Sequence, residues 1–306
     1  MEYKRIGDLM VSRIGFGGLT IGGFHYGKTK DKESIAAVKK ALKLGINFFE
    51  TADIYGFGKS ERIISKGLGR HKAIIATKVG VRWDKKKNKR YYDLSSEHII
   101  KAAKKSLSNL KIKSIPFYQI HYPDPKMPAE ITMEALNMLE DEGKIKYIGC
   151  SNFTPKQISE YQKYGRIEFI QVPYNIIDQG AEKIAKKWKM VVIAHSPIAQ
   201  GLLSGKYDEH SKFSKNDRRN KSKYFTPRVL KRIKPLLKRI REIAIKYAKT
   251  ETQVSLRWIL DNPNITSVTI GARTEGEIEE AVGAIGWRLS KRERDELTKI
   301  GKTILC

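Results

Sequence analysis

Cysteine is nearly absent: the chain holds only Cys150 and Cys306, one inside an apolar segment and one at its end. Two such residues exclude a disulfide framework and suit a reducing compartment, so a cytoplasmic protein is expected. Long apolar runs are missing too. No stretch of 18 consecutive apolar residues occurs, which predicts no membrane-spanning helix. The opening M-E-Y-K-R-I-G-D lacks the apolar centre of a secretory signal. The six histidines, at 25, 71, 98, 121, 195 and 210, show no H-E-x-x-H or other ligand spacing, so no metal site is expected. No fixed-period repeat is present, which argues against a solenoid. G-F-G-K-S at 56–60 imitates the end of a phosphate-binding P-loop, but the motif's first glycine would fall at Asp53.

Acidic residues are scarce. Lys and Arg number 60 against 33 Asp and Glu, a net charge of +27. Such an excess invites a polyanion, whether nucleic acid, an acidic membrane surface or a phosphorylated ligand. The charge is spread out, however, much of it on predicted helix faces such as Lys101, Lys104 and Lys105. Two denser clusters, Lys85–Arg90 and Lys212–Lys223, have no RNA-binding aromatic signature, zinc-finger spacing or helix-turn-helix pattern beside them. A solvated surface is the favoured reading, and no specific nucleic acid partner is expected.

What is present is alternation. Residues 2–10 read as a hairpin turning at Gly7-Asp8, and apolar strands then alternate with helical segments. Strands are predicted at Arg13–Phe16, Ile46–Glu50, Ala73–Lys78, Phe117–His121, Tyr147–Cys150, Phe169–Val172, Val191–Ala194 and Ser267–Ile270. Between them, helices are predicted from about Glu33 to Leu44 with Asp31 as N-cap, Ser60–Leu68, Ser95 or Ser96 to Leu110, Ala129–Glu142, from Thr154-Pro155, and near Glu182–Trp188. A long basic loop follows Lys78, and a polar, basic excursion runs to about Phe225. Helices then fill 228–261, with Pro235 breaking the first, and two more close the chain at Glu275–Ala284 and from Ser290. Eight β/α units over 306 residues, with no linker-like stretch, predict one domain (1–306). Its fold class is α/β: an eight-stranded parallel (β/α)8 barrel with an N-terminal hairpin and a C-terminal helix.

The carboxyl ends of the predicted strands carry Glu50, Lys78, His121, Ser151-Asn152, Gln171, His195 and Gly271. Each alone has an ordinary explanation: a strand-end cation, a satisfied core imidazole, a buried amide. Together they form a polar rim on the face where barrel enzymes keep their sites. The set also makes chemical sense. A carbonyl accepting hydride develops negative charge on oxygen and needs a proton donor. Tyr55, five residues past Glu50, is a weak acid at neutral pH unless an adjacent ammonium favours its phenolate. A carboxylate beside the lysine would hold it charged, and a histidine can hydrogen-bond the carbonyl oxygen.

At this point the chain resembles the aldo-keto reductase superfamily. The matching motifs run in order from R-I-G-F-G-G at 13–18 through F-F-E-T-A-D-I-Y-G at 48–56, A-T-K-V-G at 76–80 and Y-Q-I-H-Y-P-D-P at 118–125. They continue with E-G-K-I-K-Y-I-G-C-S-N-F at 142–153, I-Q-V-P-Y-N at 170–175, H-S-P-I-A-Q-G-L-L-S-G-K-Y at 195–207 and G-A-R-T at 271–274. The resemblance implies a barrel that binds a nicotinamide dinucleotide, NADPH with NADH as the second option, and reduces small aldehydes or ketones to alcohols. It implies Tyr55 as proton donor, Lys78 as its activating partner, His121 orienting the carbonyl and Glu50 completing the tetrad. Ser151, Asn152 and Gln171 match the groups that hold the nicotinamide carboxamide, and Gly18 and Leu19 the segment beside the ribose. Ser196, Pro197, Ile198, Gln200, Gly201, Leu203 and Lys206 resemble the loop over the pyrophosphate. Arg273 with Thr274 resembles the adenosine 2′-phosphate site, and the resemblance counts Gly271 and Glu277 beside them among the cofactor-binding positions.

The family pattern is departed from in three places, at four positions. Glu50 stands where Asp is usual, His195 where a Tyr or Trp stacks on the nicotinamide, and Glu277 and Ala281 where Arg or Gln and Asn contact the adenine. These bear on rate, cofactor grip and preference for NADPH respectively. They also motivate a second reading, a cofactor-binding regulatory protein on the same barrel with slow turnover. A polyanion-binding protein is the third. Substrate specificity falls to loops 80–94, 122–128 and 208–226.

Overall fold

Eight apolar strands with helices between them can bury both faces of a sheet only by closing it, and the chain does so. The computed structural model describes residues 1–23, 29–84, 86–180, 190–214 and 217–305. The first two strands, β1 (Tyr3–Ile6) and β2 (Leu9–Ser12), form an antiparallel hairpin. The barrel consists of β3 (Ile14–Gly17), β4 (Phe48–Glu50), β5 (Ile74–Val79), β8 (Ile115–Ile120), β9 (Ile145–Ser151), β10 (Phe169–Pro173), β11 (Val191–His195) and β12 (Ser267–Gly271). They pair in parallel in that order, and β12 returns to β3. The eight predicted strands are these eight.

Alternate residues of each strand point inward. Phe48, Ala76, Phe117, Phe169 and Ile193 make an apolar inner layer, closed at the amino end by Ile6 and Val11 of the hairpin. Packing there is tight enough to need glycine at position 149, where a Cβ would lie 2.2 Å from the Phe169 ring. Two residues further along the same strands stand Glu50, Lys78, Gln119, Gln171 and His195. The barrel is thus apolar at one end and polar at the other. Its outer face and the helices share a larger core that includes Phe16, Phe49, Ile120, Ile148 and Val268.

The helices lie close to their predicted positions. Helix α1 (Asp31–Lys43) corrects one detail: its N-cap is Lys30, and Asp31 is the first helical residue. Asp31 makes no cap hydrogen bond; its carboxylate instead pairs with Lys59 at 2.8 Å. Ser95 caps the helix Ser96–Leu110 by accepting from the His98 amide, and a Thr154–Gln157 capping box opens the helix Pro155–Tyr161. The break at Pro235 is real: one helix ends at Arg232 and the next, Lys234–Lys246, carries the proline in its first turn. The helix expected near 182–188 lies outside the described residues.

The basic loop after Lys78 is a second correction. It holds an antiparallel hairpin, β6 (Val81–Asp84) with β7 (Lys89–Tyr92), turning through Asn88 at φ 47°. The excursion up to Phe225 contains 3₁₀ turns at Ala199–Ser204, Arg218–Lys221 and Lys223–Phe225. Among the described residues, no helix is long and apolar enough to cross a membrane.

Candidate active site

Strand β4 ends in Glu50, only 5% exposed, and the chain then folds back over its neighbour β5. The Thr51 amide donates to Ala76 O at 2.8 Å, the Asp53 amide to Lys78 O at 3.4 Å and the Tyr55 amide to Ala52 O at 3.1 Å. These bonds bring Tyr55 above Lys78. The lysine ammonium has three protons and three acceptors. It contacts the Glu50 carboxylate, donates to Thr51 O at 2.8 Å, and reaches Tyr55 Oη at 3.4 Å. Burial pushes the Lys78 ammonium well below the usual lysine range. The carboxylate in contact with it opposes that push and holds the charge in place.

His121 follows β8 and meets the Tyr55 ring edge-on, centroids 5.7 Å apart and planes at 78°. Burial, then the charges of Lys78, His195 and Arg90, lower its imidazole well below the ordinary histidine range. Its Nδ1 is buried without a protein partner. A neutral imidazole at pH 7 has one N–H to donate and no charge that would repel Lys78. His195 is neutral for the same kind of reason. Burial first, then Lys78, Arg218 and Lys223, bring it down to about 3.

The amide-bearing groups gather beside these. Asn152, in left-handed backbone at φ 61°, donates through Nδ2 to His121 O and to Ser151 Oγ, both at 3.0 Å. Gln171 donates to Thr269 Oγ1 at 3.3 Å, and its Oε1 is enclosed with no protein partner. An orphaned amide oxygen beside a serine and an asparagine fits a ligand carboxamide, which has an N–H₂ to give and an oxygen to receive. Gly18 donates to Glu50 O at 2.7 Å and accepts from Ser60 Oγ at 2.8 Å, which fixes the Gly18-Leu19 turn against the acidic strand end.

Two further groups lie apart from the Lys78 cluster. After His195 the backbone turns left-handed at Ser196, Ala199, Gln200 and Gly201, with φ of 53°, 47°, 59° and 101°. Three of these are not glycine, a strained run of the kind that collects at ligand sites and turns amides toward an anion. Pro197 and Ile198 lie within the run, and buried Leu203 and exposed Lys206 follow it. The other group is at the start of helix Glu275–Val282, where Thr274 accepts from the Glu277 amide at 3.4 Å. Glu277 itself takes the Arg273 amide at 2.6 Å and lies 3.8 Å from its guanidinium. Thr20, just past Leu19, ties this group to the Gly18 turn by donating to Ala272 O at 3.4 Å, one residue past Gly271.

Three features of the site go beyond the sequence reading. Gln119 points inward beside Lys78, fully buried, with neither amide atom partnered. Its position two residues before His121 is the signal that would have found it. Tyr122 stacks on His121, and the hairpin brings Tyr92 and Arg90 to Tyr122. Asp53, by contrast, stands apart. Burial and then Glu61 push its carboxyl up to about 8, and the other charges that act on it are Lys105 and Arg82, not Lys78.

A barrel whose carboxyl-end rim joins a tyrosine to a buried lysine–carboxylate pair beside a neutral histidine defines an oxidoreductase class. The chain belongs to the aldo/keto reductase family, whose model matches residues 13–302. It is 34% identical to the aldo-keto reductase YhdN of Bacillus subtilis (strain 168), over 98% of this chain and 93% of that protein. It is 29% identical to the NADH-specific methylglyoxal reductase of Escherichia coli (strain K12), over 97% of each. Its structure is similar to that of a glycerol dehydrogenase from Gluconobacter oxydans, with a TM-score of 0.90 at 31% identity, the match covering 99% of this chain and 95% of that one.

Proposed function

We propose that this chain reduces the carbonyl of a small aldehyde or ketone to an alcohol, with a nicotinamide dinucleotide as reductant. The carrying observation is the single hydrogen-bonded line from Glu50 through Lys78 to Tyr55 Oη, with neutral His121 against the phenol ring. Ser151, Asn152 and Gln171 would hold the carboxamide, the Gly18-Leu19 turn the ribose, the 196–206 loop the pyrophosphate, and Arg273 with Thr274 the adenosine end. Gly271 ends the strand that leads into that last group, and His195 takes the place beside the nicotinamide ring. When bound, the dinucleotide supplies the hydride.

The chain's own groups manage the proton. Lys78 favours the phenolate of Tyr55, which makes the phenol a stronger acid toward an oxygen gaining negative charge. His121, neutral, donates its remaining N–H to the same oxygen and adds no charge of its own. Glu50 keeps Lys78 charged in a site that would otherwise discharge it. The names of two relatives, one a methylglyoxal reductase and one a glycerol dehydrogenase, are consistent with small oxygenated substrates on either side of this reaction.

Oxidation of NADPH or NADH by a panel of aldehydes, followed by absorbance, tests the reading. Tyr55→Phe is expected to lower turnover by about 10²–10⁴-fold while cofactor affinity, read by fluorescence titration, stays near wild type. Undiminished carbonyl reduction by that variant would remove Tyr55 from the role. Tight dinucleotide binding with no turnover of any carbonyl would favour the regulatory reading instead.

A further inference from the structure

The hairpin beyond Lys78 carries two arginines in different circumstances. Its register, Val81 opposite Tyr92 and Trp83 opposite Arg90, puts residues 81, 83, 90 and 92 on one face. Arg82 and Tyr91 are on the other, 5.3 Å apart, and Arg82 is neutralised by Asp93 at 2.7 Å. Arg90 has no carboxylate within ion-pair distance among the described residues. Its guanidinium instead lies over the rings of Tyr122 and Tyr92, at 5.3 and 5.9 Å.

Those rings lead back to the reacting centre. Tyr92 stacks on Tyr122 at 5.6 Å, Tyr122 on His121 at 5.4 Å, and His121 meets Tyr55 at 5.7 Å. A continuous wall of flat side chains therefore connects the phenol with an unneutralised cation. The guanidinium is close enough for its charge to act on the His121 imidazole.

We infer that the substrates are carbonyl compounds that also carry a carboxylate or phosphate, and that Arg90 binds that anion while Tyr122 and Tyr92 flank the body of the molecule. The inference rests on the carbonyl-reductase reading and names the substrate class for the same site. A guanidinium steadied on two aromatic faces keeps its planar fork free for a bidentate anion and has less freedom to lose on binding. Lys78 is buried and taken up by Glu50, Thr51 and Tyr55, so it does not compete for the anion, and Lys223, whose charge reaches His195, is paired with Asp178 at 2.6 Å. The chain's net charge of +27 would add salt-sensitive steering of anions toward the barrel.

The test compares 4-formylbenzoate with its methyl ester, the same aldehyde on the same ring with and without the charge. Wild-type protein with saturating dinucleotide is expected to favour the acid by about tenfold or more in kcat/KM, mainly through KM, the scale of one charge-assisted pair. Arg90→Gln should lower kcat/KM for the acid by about that factor more than for the ester, and Arg90→Lys should keep part of the preference. Activity on the ester reports that each variant is folded. Equal use of acid and ester by wild type, or an equal fall for both in Arg90→Gln, would overturn the inference while leaving the carbonyl-reductase reading standing. Reduction of neither compound, with dinucleotide bound, would overturn both.

Discussion

At residue scale the decisive substitution is Glu50, a carboxylate one methylene longer than the usual Asp. Its reach is sufficient: the carboxylate contacts Lys78 while the same ammonium still bonds Thr51 O at 2.8 Å and Tyr55 Oη at 3.4 Å. Glu50→Gln keeps the size and removes the charge, leaving a buried ammonium with nothing to offset its desolvation. In the proposed mechanism activity requires Lys78 charged, so it is present below the lysine pKa and lost above it. Removing the carboxylate lowers that pKa further, and the loss of kcat/KM should move to lower pH. Turnover should drop even at its new optimum, by up to about 10²-fold if the lysine shifts by about 1 Å. Glu50→Asp should keep activity or raise it. A Gln variant with wild-type turnover and an unmoved pH profile would reduce the tetrad to a triad.

At the scale of elements, the structure shows why parts of the site could be read from the chain and others could not. Inward residues of a strand recur every second position, so the rim of Glu50, Lys78, Gln171 and His195 follows from the strand pattern. Gln119 obeys the same rule and was hidden only by the apolar residues around it. The hairpin was not legible, because Lys85–Arg90 interrupts the alternation of its two short strands. Without that register, Arg90 is one more surface cation. The left-handed backbone at Ser196 and at Ala199, Gln200 and Gly201 was not legible either, since nothing in Ser, Ala or Gln announces a positive φ. The helix beginning at Glu275 raises a sharper question. Glu277 takes the Arg273 amide and lies beside its guanidinium, the two groups a 2′-phosphate would use. We therefore expect only a modest preference for NADPH, nearer tenfold than a thousandfold, about 1.4 kcal/mol. Glu277→Gln should tighten NADPH and leave NADH nearly unchanged, as read by fluorescence titration of both. A variant that binds the two cofactors in the wild-type ratio would show that Glu277 does not guard this position.

For the whole molecule, the two inner layers divide the labour of the barrel. The layer of Phe48, Ala76, Phe117, Phe169 and Ile193, sealed by Ile6 and Val11, holds the strands together from the amino end. The next layer carries the residues of the proposed chemistry. It carries buried polar atoms, among them both amide atoms of Gln119 and Gln171 Oε1, that an apolar core would not accept. Such a division predicts that stability and catalysis can be perturbed separately. Ile6 is 2% exposed, belongs to the hairpin rather than the barrel, and packs in the apolar layer. Ile6→Ala should therefore cost about 2–5 kcal/mol of unfolding free energy, the range for deleting a buried aliphatic side chain. At temperatures where the variant is folded, kcat/KM should stay within about twofold of wild type, because among the described residues the hairpin's hydrogen bonds and ion pairs go to groups such as Gly45, Asn47, Lys146, Tyr147 and Pro263 rather than to the rim. Urea unfolding paired with steady-state kinetics on the same preparation measures both. A large loss of turnover in a variant that is demonstrably folded would mean that the floor of the barrel sets the positions of Lys78 and Tyr55, and the division argued here would fail.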